Sequence, residues 1–513
     1  MFVTSSACRS DAILTSTANL IRAQPPSRDV VDLLSTVPGD DDWIHVSEEG
    51  SDEYPNNGTA KFPYKTIRFA MSKLQGPGQG LLIAPGTYAE SGLITPISGT
   101  ADKPIWIKGL EYPAGPRTTI LGSGGQQGPC PNPLGEGQPV NIFTINQSYW
   151  ILDGLEIDAN SECYRPISIG VPTGAVTAFA VVNNLDVHGA TGPQAVRVTN
   201  AHDVFIVGSK IHDNWWAPAG QEKDCHGINV LQDSDRVLIR QNCLRGHSGD
   251  SIQVAHSSEP HNPDPVNPDK GLPRNITIDS NDFTGDFENA IDLKSCRNVT
   301  ILSNQLHDYL PSPPQKVGTS AIVIHYDARG VLIENNELRK CGRAVSIEDL
   351  GLPANPERRM GPIVLKNNEL SEIQVTSTVP GTGSGITVNQ VAGIKVGDQD
   401  VLHAVEIYDN MFTNIDRVAI EIGGNGAPTR VVRPLVANNV FNATKICMNI
   451  NPAAISEREV GDPACQGNPL RSGLTSNHNQ FKQLQSKPFR RLGEQISLAQ
   501  WQVCYDSNSC VDP

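Results

Sequence analysis

A carboxylate and an amine stand two residues apart in the phrase NAIDLK, as Asp292 and Lys294. On a strand, that spacing sends both side chains to the same face. Similar alternating phrases flank this one: QAVRVT (194–199), HGINVL (226–231), DSIQVA (250–255), SAIVIH (320–325), RAVSIE (343–348) and SGITVN (384–389). If each opens one turn of a repeating coil, Ile and Val face inward and equivalent outward residues stack about 4.8 Å apart. Three outward rows follow. The first is Gln194, His226, Asp250, Asn289, Ser320, Arg343 and Ser384. The second is Arg197, Asn229, Gln253, Asp292, Val323, Ser346 and Thr387. The third is Thr199, Leu231, Ala255, Lys294, His325, Glu348 and Asn389. Ionisable groups concentrate on a few successive coils, with His256 and Glu288 lying just outside the strands.

Such a group suits the removal of a weakly acidic proton. In a uronic-acid polymer a base takes the C5 proton beside the carboxylate, and the C4 glycosidic oxygen departs. The proton is held tightly until the carboxylate charge is neutralised. A lysine serves as base only where positive neighbours or desolvation lower its pKa, and Asp292 alone would raise that of Lys294. Calcium on Asp292, Asp250 and Glu288 would reverse that sign and grip the substrate carboxylate. On this reading Lys294 abstracts the proton, while His325 and Arg343 contact the substrate carboxylate or the leaving oxygen. Arg197, Asn229, His256 and Glu348 would bind substrate, and Trp215 and Trp216 would offer flat faces to sugar rings. Two other readings stay open. Hydrolysis needs a carboxylate pair, which Asp250 with Asp292, or Asp292 with Glu348, would provide. A non-catalytic glycan-binding protein would use the tryptophans and loops. Taken singly, each of these residues reads better as a solvated surface group, so the functional argument rests on their concentration.

The elements that position these residues announce themselves through asparagine. Seven short phrases each carry one: QNCL (Asn242), SNDF (Asn281), SNQL (Asn304), NNEL (Asn336), NNEL (Asn368), DNMF (Asn410) and NNVF (Asn439). Each follows an apolar-alternating strand such as RVLIR, NITID or GVLIE. The spacing runs from 23 residues (Asn281 to Asn304) to 42 (Asn368 to Asn410), which describes coils of about two dozen residues with insertions. Asparagine tolerates the left-handed conformation and bonds its neighbours in turns. One asparagine per coil at one corner predicts a stacked ladder in an all-β, single-stranded parallel β-helix.

Composition agrees. A solenoid reaches 513 residues by adding coils rather than by enlarging one core. The 46 glycines and 38 prolines punctuate many short strands, and aromatics are only 5%. A net charge of -15 argues against nucleic acid as a partner, and no apolar run is long enough to span a membrane. Eleven cysteines without a CxxC pair argue against a zinc ribbon and for an oxidising compartment, with Cys447–Cys465 and Cys504–Cys510 able to close short loops. Secretion is expected, although the first residues lack a charged start leading into a long apolar run. A monomer is expected.

Residues 1–42 read as a poorly ordered leader. An N-terminal cap and first coils follow over 43–103, with a short amphipathic helix in PYKTIRFAMSKL to plug the open end. The β-helix with its groove occupies 104–460, and 461–513 form a C-terminal cover. Two Pro-rich insertions, 257–274 and 309–319, read as loops walling the groove.

Gly50-Ser51-Asp52, Asn57-Gly58-Thr59, Pro63 to Ile67 and Pro85-Gly86-Thr87-Tyr88 together resemble the N-terminal cap of secreted right-handed β-helix carbohydrate proteins, family nine of the polysaccharide lyases among them. Leu498 to Gln502 with Asp506 and Ser507 is similar to a segment near their C-terminal end. The resemblance implies a pectate-lyase-like, right-handed helix, but lyases, hydrolases and epimerases share the cap. FENAIDLKSCRNVTILSN further resembles the base-bearing coil of calcium-dependent lyases of families six and nine, which implies Lys294 as Brønsted base with calcium-binding carboxylates nearby. Family six carries two glutamates at fixed spacing before its lysine, whereas here Glu288 and Asp292 stand at other offsets. Family nine groups several aspartates around one calcium, and no such run occurs. Where family six has an arginine in the next coil, this chain offers His325.

Overall fold

The computed structural model describes residues 21–110, 117–123, 140–161, 164–215, 224–256, 267, 269–310, 320–349, 361–374, 384–390, 401–403, 405–422, 430–432, 435–450 and shorter stretches between 475 and 511. The chain divides into two compact units. An N-terminal unit comprises Ala23–Ser257 with Asn262–Glu288, and a C-terminal unit comprises Met1–Arg22, Ser258–His261 and Asn289–Pro513.

Each unit is built from parallel sheets whose neighbouring strands come from successive coils, the architecture of a right-handed parallel β-helix. In the N-terminal unit one sheet runs Val140–Ile145, Tyr164–Ile169, Gln194–Val198, His226–Val230 and Ile252–Val254. Its registers pair Gln194 with His226, Arg197 with Asn229, and Asn229 with Gln253. In the C-terminal unit the corresponding sheet runs Ile291–Lys294, Ser320–His325, Arg343–Asp349, Ser384–Gln390 and Val418–Ile422. Here Asp292, Val323, Ser346 and Thr387 form one row, and Lys294, His325, Glu348 and Asn389 the next. These are the rows expected from the alternation. Ile228, Val230, Ile252 and Val254 point inward and are fully buried, as are Ile291, Leu293, Ile322 and Ile324. Each such side chain contributes roughly 1.5–3 kcal/mol through removal from water, and together they hold the strand phase that sends the polar row outward.

The asparagine ladder is present within each unit, with a correction to its geometry. The left-handed residue is the one before each ladder asparagine: Gln241, Ser280, Ser303, Asn335, Asn367, Asp409 and Asn438 have φ between +55° and +57°. The asparagine itself sits buried one residue on. In the C-terminal unit the backbone N–H and the side-chain amide of Asn304 both donate to Asn336 Oδ1, each at 2.9 Å. Asn336 does the same to Asn368, both at 3.0 Å. Asn368, Asn410 and Asn439 continue it to Asn479, a rung beyond the seven phrases. In the N-terminal unit Asn242 repeats the pattern onto Asn281, and Ser209 N–H donates to Asn242. Each rung satisfies backbone groups exposed by the turn that no strand partner reaches.

The cap is built from the motifs singled out in the sequence. The helix Ile67–Met71 buries Ile67, Ala70 and Met71, and Thr66 caps it through the Phe69 N–H. Asp52 accepts from the Lys65 and Thr66 N–H groups, and Glu90 from those of Ile67 and Arg68. Residues 23–42 do not form the expected loose leader. Val30 and Leu33 of the helix Val30–Leu34 pack on an apolar stripe of Trp106, Ile151, Val181, Phe205 and Leu238, which explains why this segment is held. Within the C-terminal unit, Ile21 packs on Leu332, Val364 and Tyr408, while Arg22 pairs with Glu334 at 2.5 Å. In the tail, Trp501 is fully buried and stacks on Phe489 with ring centroids 4.7 Å apart.

The expected pairing of Cys447 is also corrected. Its thiol is free and buried beside Thr444, and burial pushes it up to about 12, so it behaves as a small apolar group. Cys465 and Cys504 lie outside the described residues.

Replacing Asn368 by Ala would strand the Asn336 N–H and the Ile333 carbonyl, both buried. We expect a loss of about 2–5 kcal/mol in unfolding free energy, read from the denaturant midpoint.

Candidate active site

In the C-terminal unit, adjacent strands bring Asp292, Lys294 and His325 into one cluster. Asp292 Oδ1 lies 2.5 Å from His325 Nε2, and Asp292 Oδ2 lies 2.9 Å from Lys294 Nζ. The contact follows directly from register, because Lys294 pairs with His325 and Asp292 precedes Lys294 by two residues on the same face. The Asp292 side chain is 6% exposed and that of Lys294 is 22% exposed, so the amine is the more accessible member of the pair. Burial by itself pushes the Asp292 carboxyl up. The charge and hydrogen bond of His325, followed by those of Lys294, overcome burial and hold the carboxyl well below the usual carboxylate range. Asp292 is therefore an anion clamped between two nitrogen groups. In this structure each of its oxygens faces a nitrogen donor. With Nε2 facing Asp292, the other ring nitrogen of His325 is buried without a partner among the described residues. The His325 ring also lies against Tyr326, with centroids 4.7 Å apart.

Arg343 is half-buried in the strand beside Ser320. Glu348 takes its expected place beside His325 in the backbone register, and its side chain lies outside the described residues.

In the N-terminal unit, His226, Asp250 and Glu288 converge, with one ligand atom of each within 4.8 Å of the others. Asp250 is fully buried, and its Oδ2 lies 3.3 Å from His226 Nδ1. The Asp250 N–H donates to that same Nδ1 at 3.0 Å, and Gln253 Nε2 reaches Asp250 Oδ2 at 3.4 Å. Gly249 allows this approach, because a Cβ there would lie 2.7 Å from His226 Nδ1. Calcium takes oxygen donors, so Asp250 and Glu288 fit that ion while the imidazole is foreign to it. Through Nδ1, His226 accepts the Asp250 backbone N–H and so fixes the chain at this turn. It was placed in the outward row from sequence without a role, and its proximity to Glu288 depends on the turn before the next strand.

The remaining expected residues are dispersed. Arg197 donates to Ser168 Oγ through Nε and Nη2 at 3.2 and 2.9 Å, and Asn229 Nδ2 donates to Gln253 Oε1 at 3.3 Å. Trp215 is 41% exposed and stands edge-on to Phe287 with centroids 5.6 Å apart. Trp216 lies outside the described residues. His256 is half-buried beside Gly271. Sequence reasoning passed over Asp286, which accepts from the His247 N–H at 3.0 Å and from Ser251 Oγ at 2.5 Å. It also passed over His247, whose ring is fully buried and pushed by that burial down to about 3. Neither residue falls in an outward row of the aligned phrases.

Residues 226–441 match the family model described as right handed beta helix region. No curated protein sequence matches the chain. Among solved structures, the chain is similar to a mannuronic acid specific polysaccharide family 6 lyase from human gut microbiota. Identity is 14% over 86% of this chain and 88% of that one, with a TM-score of 0.51. It is also similar to the catalytic unit of a GH87 alpha-1,3-glucanase from Streptomyces thermodiastaticus strain HF3-3, at 13% identity over 79% of this chain and 65% of that one, TM-score 0.49. Pectate lyase Pel9A is 13% identical over 68% of this chain and 80% of that one, TM-score 0.42. At these identities the likeness to the family 6 lyase establishes a shared fold. The chain has the right-handed parallel β-helix fold.

The sign of the Asp292 shift makes a pH test. Its folded pKa lies below the unfolded value of about 3.9, so its contribution is present above roughly pH 4 and is lost as pH falls through the folded value. Asp292→Asn should therefore destabilise the protein by about 2–5 kcal/mol at neutral pH. In denaturant titrations the gap to wild type should close as pH drops below about 4.

Proposed function

We propose that this protein is a secreted, monomeric polysaccharide lyase that cleaves a uronic-acid-containing polymer by β-elimination, with Lys294 as the base. One observation carries the reading: the partly accessible Lys294 amine lies 2.9 Å from a buried, ionised Asp292 that also holds His325. Asp292 fixes the position of the amine; its charge alone keeps the lysine protonated, and desolvation of the amine by bound substrate is what must oppose that charged form for it to act as base. Lys294 takes the C5 proton. His325 and Arg343 contact the substrate carboxylate or the departing O4, with Glu348 beside them as a binding residue. Tyr326, packed on the His325 ring, limits its rotation.

Calcium is the cation proposed for Asp250 and Glu288, where it would supply positive charge for a substrate carboxylate. His226 holds the backbone of Asp250 through its N–H. Arg197, Asn229, His256, Trp215 and Trp216 remain proposed substrate contacts. No described helix is long and apolar enough to cross a membrane.

In the runner-up, hydrolysis by a carboxylate pair, Asp292 could serve only as base or nucleophile, with the other member of the pair as the acid. A general acid must carry a proton near the working pH, and Asp292 is held ionised far below it.

The test measures ultraviolet absorbance of unsaturated uronide across pectate, alginate, glycosaminoglycan and glucuronan. Lys294→Ala should lower turnover by about 10²–10⁴-fold while the folded protein is retained. Product from wild type that is unchanged in the variant would refute Lys294 as base. New reducing ends without absorbance would transfer the assignment to a hydrolase. For the cation, a chelator should lower both turnover and thermal midpoint, with calcium restoring them and Asp250→Asn abolishing the response.

A further inference from the structure

Several buried or half-buried cations of this acidic chain sit against a carboxylate. Lys108 Nζ lies 2.6 Å from Asp153, Arg236 Nη2 lies 2.8 Å from Asp203, and Arg297 Nη2 lies 2.7 Å from Asp327. Two arginines on neighbouring strands of the N-terminal unit depart from this pattern. Arg165, only 4% exposed, donates through Nη1 to Asn141 Oδ1 at 2.8 Å. With the Gln194 amide turned to suit both of its neighbours, Arg165 Nε reaches the Gln194 oxygen at 3.3 Å. Among the described residues Arg197 donates to the Ser168 hydroxyl alone. Every acceptor is neutral, and neither guanidinium has a carboxylate partner among the described residues.

The register draws a third group into the same place. Ser168 pairs with Arg197, and Arg197 with Asn229. Asn229 is 7% exposed, and its Oδ1 has no partner among the described residues. A guanidinium is a planar fork matched to an oxyanion, whereas an unused amide oxygen accepts from a hydroxyl. Two unneutralised guanidiniums beside one free acceptor therefore suit a ligand that carries an oxyanion and hydroxyl groups on one small ring.

We propose that Arg165 and Arg197 form a binding site for the carboxylate of an acidic sugar, with Asn229 Oδ1 accepting from one of its hydroxyls. The proposal rests on the reading of this protein as one that acts on an acidic polysaccharide, and it names a residue, Arg165, that no outward row contained. Burial first, and the neighbouring Arg197 charge second, push the Arg165 guanidinium down to about 9, the direction expected of a cation lacking its counter-charge. Burial lowers Arg197 as well. A uronate would relieve both effects.

Calorimetric titration tests this with three probes: tri-galacturonate and tri-mannuronate as acidic sugars, and tri-galactose as the neutral control. Inorganic sulfate is added as a fourth, to separate a sugar site from a site for any oxyanion. Measurements use the full chain carrying Lys294→Ala, so that turnover does not consume the ligand. At least one uronate trimer should bind tenfold or more tightly than tri-galactose, and Arg165→Gln and Arg197→Gln should each remove that preference. Arg197 is the more exposed of the two, so Arg197→Gln keeps the test available if Arg165→Gln fails to fold. Equal affinity for acidic and neutral trimers, or a preference untouched by Arg197→Gln, would overturn the site. Sulfate binding that depends on the arginines without any uronate preference would overturn its assignment to a sugar. Arginine-dependent uronate binding in a protein whose wild type yields no unsaturated product would sink the lyase reading and leave this site standing.

Discussion

Stacking in register is the constraint on which everything else depends. A parallel coil presents unpaired backbone groups at every turn, and a slip of one residue would exchange its inner and outer faces. The asparagine rungs act on both problems. From Asn336 to Asn479 each side-chain oxygen takes two donors from the preceding coil, and each side-chain amide bonds a carbonyl of that coil. A rung accepts only one position of its neighbour. The left-handed residue before it turns the chain at a fixed point, so the next strand begins in a defined phase. The chemistry of the outer face is inherited from that phase.

Electrostatics then differentiate the face. Within the C-terminal unit a buried aspartate is tolerable because two nitrogen groups on adjacent strands converge on it, and the register places them there. Within the N-terminal unit Asp250 is buried beside His226, with Glu288 arriving from the following turn. The guanidiniums of Arg165 and Arg197 are the opposite case, positive groups served by neutral acceptors. In a chain with a net charge of -15, that local inversion is what a polyanionic ligand would need for a foothold. The carbohydrate reading draws on these three local arrangements, each explicable from strand pairing and the identity of a few side chains.

Much of this was legible from sequence because both signals are periodic. Alternation of Ile and Val gave the strands, and their alignment gave the rows in which Lys294 meets His325 and Arg197 meets Asn229. Contacts made outside the period were not legible. Asp286 and His247 lie in turns or face away from the aligned rows. Arg165 stands in YRPISIG, a strand lacking the neighbouring ladder phrase that drew attention to later coils. The stretch 23–42 looked loose because its apolar residues are few, yet Val30 and Leu33 find a stripe that exists only once five coils have stacked.

The sequence by itself determined the fold class, the strand phase and the residues that share a row, since each is a consequence of spacing along one chain. Tertiary structure alone decided which atoms of those residues meet. It made Asp292 the partner of His325 and Lys294, brought His226 together with Asp250 and Glu288, and left two arginines without a carboxylate among the described residues. The reason is physical: periodicity specifies the direction of a side chain, whereas hydrogen bonding and charge depend on distances of an ångström or less, which rotamers and turns set after the coils have packed.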